Sequence, residues 1–227
     1  MHSSYYYKAI KHIIFSCLTL MLSSGVVSCE QATPITNQAM MNAPQFKANT
    51  KIDEQEFWRI IDFSKKYAAG NSESQEALLV KIIAQYSPSE IIEFECLLRQ
   101  RLEEADDFNV MAAEKIMEGS VTDDSYIYFR CWLIAQGEKV FTEAIRSPDT
   151  LAAVAIDEAE TDFEQLLYVA TDAYKISTGK KEEDASFPRN IAAERGLNYD
   201  FASETKGKDW IPEQLPSLLP KLWAKFN

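Results

Sequence analysis

From Tyr126 to Ala135 the chain reads Tyr-Ile-Tyr-Phe-Arg-Cys-Trp-Leu-Ile-Ala, apolar or aromatic everywhere except Arg130, and it runs on into Gln136 and Gly137. Helical spacing leaves this stretch no polar side, and a helix that is apolar all round belongs inside a protein with other helices about it. Its single guanidinium then needs a carboxylate or a carbonyl beside it, because an unpaired buried charge is strongly destabilising. The expectation is an all-α fold, one compact multi-helix domain packed around this segment. A chain of 227 residues is long enough to bury such a core.

The flanking segments repeat the helical period. Asp53-Glu54-Gln55-Glu56 is a capping-box pattern with acids where the helix dipole favours them, followed by Phe57, Trp58, Ile60, Ile61 and Tyr67 and closed by Gly70. Ser72 or Ser74 caps the next helix, which carries Leu78, Leu79, Ile82, Ile83 and Tyr86. Ser87-Pro88-Ser89-Glu90 combines a capping box with proline at the first helical position, and Ile91, Phe94, Leu98 and Leu102 follow on one face. A fourth helix from about Asp107 to Glu118 places Val110, Met111, Ala113 and Met117 on a face and stops at Gly119. Asp123 or Asp124 caps the central helix, and Glu138 to Arg146 forms the next. Short helices are expected from Pro148 to Val154, Phe163 to Val169 and Asp172 to Ser177. No segment alternates strictly enough to read as a strand.

Residues 180–209 are dominated by Lys, Glu, Asp, Gly and Asn, with one brief helical hint from Asn190 to Arg195. A stretch of that length without structure is unusual in a compact domain, and it reads as an insertion, disordered rather than a functional loop. Trp210, Leu215, Leu218, Leu219, Leu222, Trp223 and Phe226 then dock a terminal helix on the core.

The N-terminus reads as an address. Lys8 and Lys11 precede the apolar run Ile13–Leu22, too short to cross a bilayer, which is the pattern of a cleavable signal peptide over residues 1–28. Val26-Val27-Ser28-Cys29 resembles the lipobox of bacterial lipoproteins. That resemblance implies cleavage before Cys29, a diacylglycerol on its sulfur and, in many bacteria, an acyl chain on its nitrogen. Two or three acyl chains anchor firmly where one does not. Residues 29–50, rich in Gln, Asn, Thr, Ala and Pro, form a flexible tether spanning roughly 25 Å, which leaves 51–227 as the domain. The expected location is the bacterial cell envelope, attached to a membrane through Cys29, with inner and outer membranes equally open.

Charge and histidine usage exclude whole classes. The net charge is −12, and losing residues 1–28, whose charges are Lys8 and Lys11, takes it to −14. Such a field repels nucleic acid and anionic lipid and would attract a basic protein partner, although acidity alone is more often a solubility device. Both histidines, His2 and His12, lie in the leader, so the mature chain has no imidazole for a Ser-His-Asp or Cys-His centre or a histidine zinc site. No phosphate loop, nucleophile elbow or metal-spaced cysteine pair is present, and no cofactor or metal is expected. The acid runs Glu103–Asp107 and Asp157–Asp162 lack the spaced ligands of an EF-hand and read as solvated surface.

Arg130 with Asp123, Asp124 and Gln136 is the candidate polar site. Together they could line a pocket for an anion or peptide, but Arg130 fixing helix packing is the preferred reading, since a capping aspartate is already committed to backbone N–H groups. Trp58, Trp132, Trp210 and Trp223 read as core, and Cys96 and Cys131 as buried free thiols rather than a bridge.

Four motifs carry a further resemblance: Asp123-Asp124-Ser125-Tyr126 with Phe129 through Gly137, Glu56-Phe57-Trp58-Arg59-Ile60-Ile61, Leu166 through Ala170 with Ala173-Tyr174, and Pro220 through Phe226. In that order they resemble the family catalogued as domain of unknown function 4240, from about Lys51 to Phe226. The chain departs from the family's pattern at Ser120-Val121 and in its longer 180–209 stretch. The resemblance implies a helical domain opening on Phe-Trp and closing on Leu-Trp, and it transfers no activity. Two functions are therefore carried forward: a lipid-anchored protein-binding module of the inhibitor or immunity kind, and a carboxylate-based, possibly metal-assisted, hydrolase acting on an envelope polymer.

Overall fold

The computed structural model describes residues 44–154, 161–181, 184–199 and 204–227, so the expected signal peptide, Cys29 and most of the tether lie outside the described residues. The described elements are helices: α1 (Glu54–Ala68), α2 (Ser72–Ile83), α3 (Pro88–Glu104), α4 (Phe108–Glu118), α5 (Asp123–Ala135), α6 (Glu138–Arg146), α7 (Val169–Thr178), α8 (Pro188–Glu194), α9 (Leu215–Leu218) and α10 (Pro220–Phe226), with 3-10 turns at Pro148–Ala153, Glu164–Leu167 and Pro212–Gln214. Two segments expected to be short helices are thus 3-10 turns, and the third, α7, begins earlier, at Val169.

The apolar stretch is α5, and it packs against α1, α3, α4, α6 and the Glu164–Leu167 turn. Phe129, Cys131, Leu133, Ile134 and Ala135 are sealed from solvent, and Arg130 is only 3% exposed. The guanidinium finds carbonyls rather than a carboxylate: Nη1 donates to Leu102 O at 3.0 Å and Nε to Tyr126 O at 3.4 Å, with the Tyr126 ring centroid 4.6 Å away. Leu102 lies in the last turn of α3, where carbonyls lack partners within the helix. The neighbouring ones are accounted for as well. Arg101 O accepts from Ala105 N, Glu103 O and Glu104 O accept from Lys206 Nζ, and Ala105 O accepts from the Tyr126 hydroxyl. Two cations thus sit at the negative end of the longest helix, which is where its dipole favours them.

Several caps differ from expectation by a residue or two. Thr122, not Asp123 or Asp124, caps α5: its hydroxyl accepts from Ser125 N at 3.1 Å while Ser125 Oγ accepts from Thr122 N at 2.8 Å. Asn71, not Ser72 or Ser74, caps α2. Asp53 caps α1, but Glu56 does not close the box, because its carboxylate is taken by Asn49, Arg59 and Tyr86. Likewise Ser87 caps α3 while Glu90 turns away to accept from Ile52 N. Met111 and Met117 are half-buried, and the inward face of α4 is Val110, Ala112, Ala113 and Ile116.

Gly137 ends the central helix at φ 98°, a left-handed conformation open to glycine. A Cβ there would run into the Asp62 carboxylate, which accepts from Glu138 N at 3.1 Å to start α6.

At the N-terminal edge the tether is shorter than expected. Phe46 is buried against Phe63 at 4.9 Å with Arg59 over its ring at 4.1 Å, and Asn49 Nδ2 donates to Glu56 at 2.6 Å. At the other end, the stretch expected to be without structure carries α8, which packs on α3 and α7 with Phe187 and Ala192 buried. Its anchors are Arg99, which donates to Leu197 O at 2.8 Å, and Arg195, paired with Glu93 at 2.7 Å. Lys206 forms an isolated parallel bridge with Asp107. The terminal helices bury Leu215, Leu219 and Leu222, while Leu218 points to solvent and Trp223 and Phe226 are half-buried. Trp58 and Trp132 are core; Trp210 is half-buried with Nε1 donating to Phe108 O at 2.7 Å. Cys96 and Cys131 are both buried and unbridged.

Candidate functional site

The four residues singled out in the sequence are not brought together. Arg130 is interior and held by carbonyls, Asp123 and Asp124 are exposed in the first turn of α5, and Gln136 lies past its other end. There Gln136 Oε1 accepts from Lys65 Nζ at 2.6 Å and Nε2 donates to Trp132 O at 3.2 Å. Among the described residues no ion pair joins Arg130 to either aspartate.

A carboxylate buried away from water must be paired or neutral, and three glutamates of the core meet that demand differently. Burial pulls the Glu56 carboxyl up, but hydrogen bonds from Arg59, Tyr86 and Asn49 outweigh it and hold the group below the ordinary carboxylate range. Glu95 goes the other way: burial raises it, and the Arg99 guanidinium at 2.7 Å offsets part of that. Glu114 is 1% exposed and neither of its carboxyl oxygens has a hydrogen-bond partner. Burial pushes it up to about 7, with Glu118 adding and Arg130 pulling it back. Glu56 and Glu95 serve to pin the N-terminal arm and the α8 segment, and Glu114 is closed to solvent.

An open surface is found instead between α2 and α7. A groove of about 600 Å³ is walled by Ala77, Val80 and Ala84 of α2 and Ile176 of α7, with Glu76, Lys81 and Asp172 as its polar lining. The groove follows from the sequence of α2, whose apolar arc is wider than one core face needs. Leu78, Leu79, Ile82 and Ile83 point inward, and Ala77, Val80 and Ala84 extend the arc at i, i+3 and i+7 toward solvent. Ile176 is 66% exposed, the most open large apolar side chain among the described residues. Burial raises the Glu76 carboxyl, and the charges of Asp172 and Glu73 raise it further. Asp172 itself is paired with Lys175 at 3.2 Å. Sequence reading passed over these residues because Ile176 stands alone in a polar run. The visible signal was the second apolar stripe on α2, too short to separate from a generous core face.

A second concavity of about 420 Å³, lined by residues that include Asn109, Lys208, Trp210, Glu213, Ser217 and Leu218, lies where the tail crosses α4. No group of three or more His, Cys, Asp or Glu side chains stands where it could hold a metal ion among the described residues. The acid run 103–107 is spent on structure, with Asp107 capping α4 and Glu104 paired with Arg101. Asp157 to Glu160 lie outside the described residues. No described helix is long and apolar enough to cross a membrane.

The family model described as Protein of unknown function (DUF4240) matches residues 52–176, from the start of the domain to Ile176 in the groove. The match ends before α8 and the Pro220–Phe226 motif. No curated protein and no solved structure matches the chain.

Proposed function

We propose, from the premise that this chain belongs to the family described as Protein of unknown function (DUF4240), that it is a lipid-anchored protein-binding module of the bacterial cell envelope, of the inhibitor or immunity kind. The observation that carries the reading is the α2–α7 groove. It is open and walled by aliphatic side chains that include an exposed isoleucine, which is what a protein-docking surface offers and what a solvent-facing helix otherwise avoids. The anchor rests on Lys8, Lys11, the apolar run and Cys29 in the sequence.

The hydrolase reading also has one observation in its favour. Glu76 and Asp172 share the groove, where burial pushes Glu76 up, and a carboxyl raised in this way is a feature acid–base chemistry uses. Against it stands the aliphatic character of the wall, which provides few groups to orient a polymer's hydroxyl or amide groups.

A photo-crosslinking residue placed at Ile176 and, separately, at Leu218 in the full lipoprotein separates the two in living cells. A binding module gives a discrete protein adduct at Ile176 that survives Glu76→Gln and Asp172→Asn, because amides leave the wall intact. A hydrolase gives turnover of an envelope polymer that the same two amide variants abolish. Blank adducts at both positions overturn the binding module, and no turnover across a panel of envelope polymers overturns the enzyme.

A further inference from the structure

We infer that the α2–α7 groove receives a basic amphipathic helix of the partner protein, its apolar side chains against Val80 and Ile176 and a lysine or arginine beside Glu76. This rests on the binding-module reading and names what it binds.

The floor of the groove sets the shape of the guest. Ala77 and Ala84 flank Val80 on one stripe of α2, so the helix surface is low on either side of a single branched residue, and Ile176 rises from α7 as the opposite wall. Small residues let another helix approach closely, and the i, i+3, i+7 spacing is that of a helix laid in a groove. Ile176 is already in water, so its burial on docking is pure gain in apolar contact.

Charge decides what kind of helix. On α2 the positions three and four residues from Glu76 are Glu73, Ser72, Leu79 and Val80, so its one charged neighbour on the helix surface has the same sign. Lys81 also lines the groove, but five residues on it stands roughly 140° around the helix from Glu76. Asp172 faces the same groove and brings its own partner, Lys175, at 3.2 Å. Two acids, Glu73 and Asp172, therefore crowd Glu76, and their charges add to the upward push that burial gives its carboxyl. A cation carried by the guest relieves that crowding.

The same charges argue against other occupants. A second copy of this chain brings another Glu73, Glu76 and Asp172 on a molecule of net charge −12. Anionic lipid heads are repelled by the same field. The chain's own segment 30–43 holds no lysine or arginine, and 155–160 is acidic.

The probes are a synthetic 14-residue leucine/lysine amphipathic peptide and its leucine/glutamate counterpart. Each is titrated by fluorescence anisotropy onto the full chain held in zwitterionic nanodiscs, with empty discs subtracted. The lysine peptide is expected to bind at least tenfold tighter than the glutamate peptide. Ile176→Ser and Glu76→Lys are each expected to weaken it about tenfold, while Glu213→Lys, the same charge change on an exposed residue outside the groove, leaves it unaltered. Equal binding of the two peptides, or an equal loss in Glu213→Lys, overturns the proposal. So does self-association of the wild-type chain that Ile176→Ser abolishes, since the groove then belongs to a second copy. The two levels fail separately: a cellular adduct at Leu218 with failure at the groove preserves the binding module and removes this guest, whereas blank adducts at both positions remove the module itself.

Discussion

Glu114 is the residue whose chemistry departs furthest from its surroundings. It is buried on α4 and feels the charge of Arg130 of α5, with Glu118 one turn along its own helix and Ser125 of α5 nearby, and the Ser125 hydroxyl is spent on Thr122 O. Its folded value of about 7 stands above the ordinary 4.5. The protonated form is therefore the one the fold favours. Stability from this group is fully present below pH 4.5, declines as pH rises from there, and is gone above 7, a loss of about 3 kcal/mol. Glu114→Gln removes the ionisation without changing the shape. Thermal unfolding at pH 5 and pH 8 should show a steeper fall for the wild type than for the variant, with the variant the more stable at pH 8. Parallel curves would mean the group is solvated in the folded state. Nothing in the sequence marked Glu114, since an acid between Ala113 and Lys115 looks like any surface residue. Arg130, by contrast, stood out as the lone charge in an apolar stretch. What could not be read was its partner, because Leu102 O lies 28 residues away and carbonyls have no sequence signature. Caps were legible as regions and not as residues: Thr122 lies beside two aspartates with the same propensity, and only the reciprocal bond from Ser125 decides between them.

Among the elements, helices with a strong apolar period could be placed to within a residue or two, as α1, α3, α5 and α6 show. Short pieces could not, because a one-turn helix gets its stability from what it packs on. α10 is seven residues long and would not persist alone. It is fixed by Asp149, whose Oδ1 accepts from Lys221 N at 2.8 Å and Leu222 N at 2.9 Å, and by Lys225 Nζ, which donates to Ala152 O and Val154 O. The clamp joins the Pro148–Ala153 turn to a helix some seventy residues later, so local pattern does not show it. Asp149→Ala should destabilise the protein by about 1–2 kcal/mol through the two orphaned N–H groups and the lost charge at a helix N-terminus. Asp149→Asn keeps an acceptor and should lose less. Hydrogen exchange over 215–226 gives the sharper readout, with protection falling there in Asp149→Ala and unchanged in α5. A uniform loss across the chain would show that the tail and the core unfold as one unit.

At the scale of the molecule, the fold class followed from one stretch that tolerates no solvent on any side, whereas the groove depends on two helices, α2 and α7, meeting from positions about a hundred residues apart. The same separation of local from distant information bears on the proposed membrane attachment. Among the described residues the N-terminal arm is pinned to α1 at Phe46 and Glu56. With the proposed loss of its leader the chain carries a net charge of −14 and is repelled by anionic lipid, and its described helices are too short or too polar to span a bilayer. On the proposed reading, attachment falls on Cys29. Cys29→Ala should abolish incorporation of an alkyne-labelled palmitate and shift the protein from the carbonate-washed membrane fraction to the soluble one. Its unfolding midpoint and its affinity for the leucine/lysine peptide should remain those of the parent, because neither the arm nor the groove involves the anchor. Retention of Cys29→Ala in washed membranes would place the attachment elsewhere in the chain. A lowered midpoint would show that the segment before Phe46 contributes to the fold, and the domain would then have to be drawn from the lipid onward.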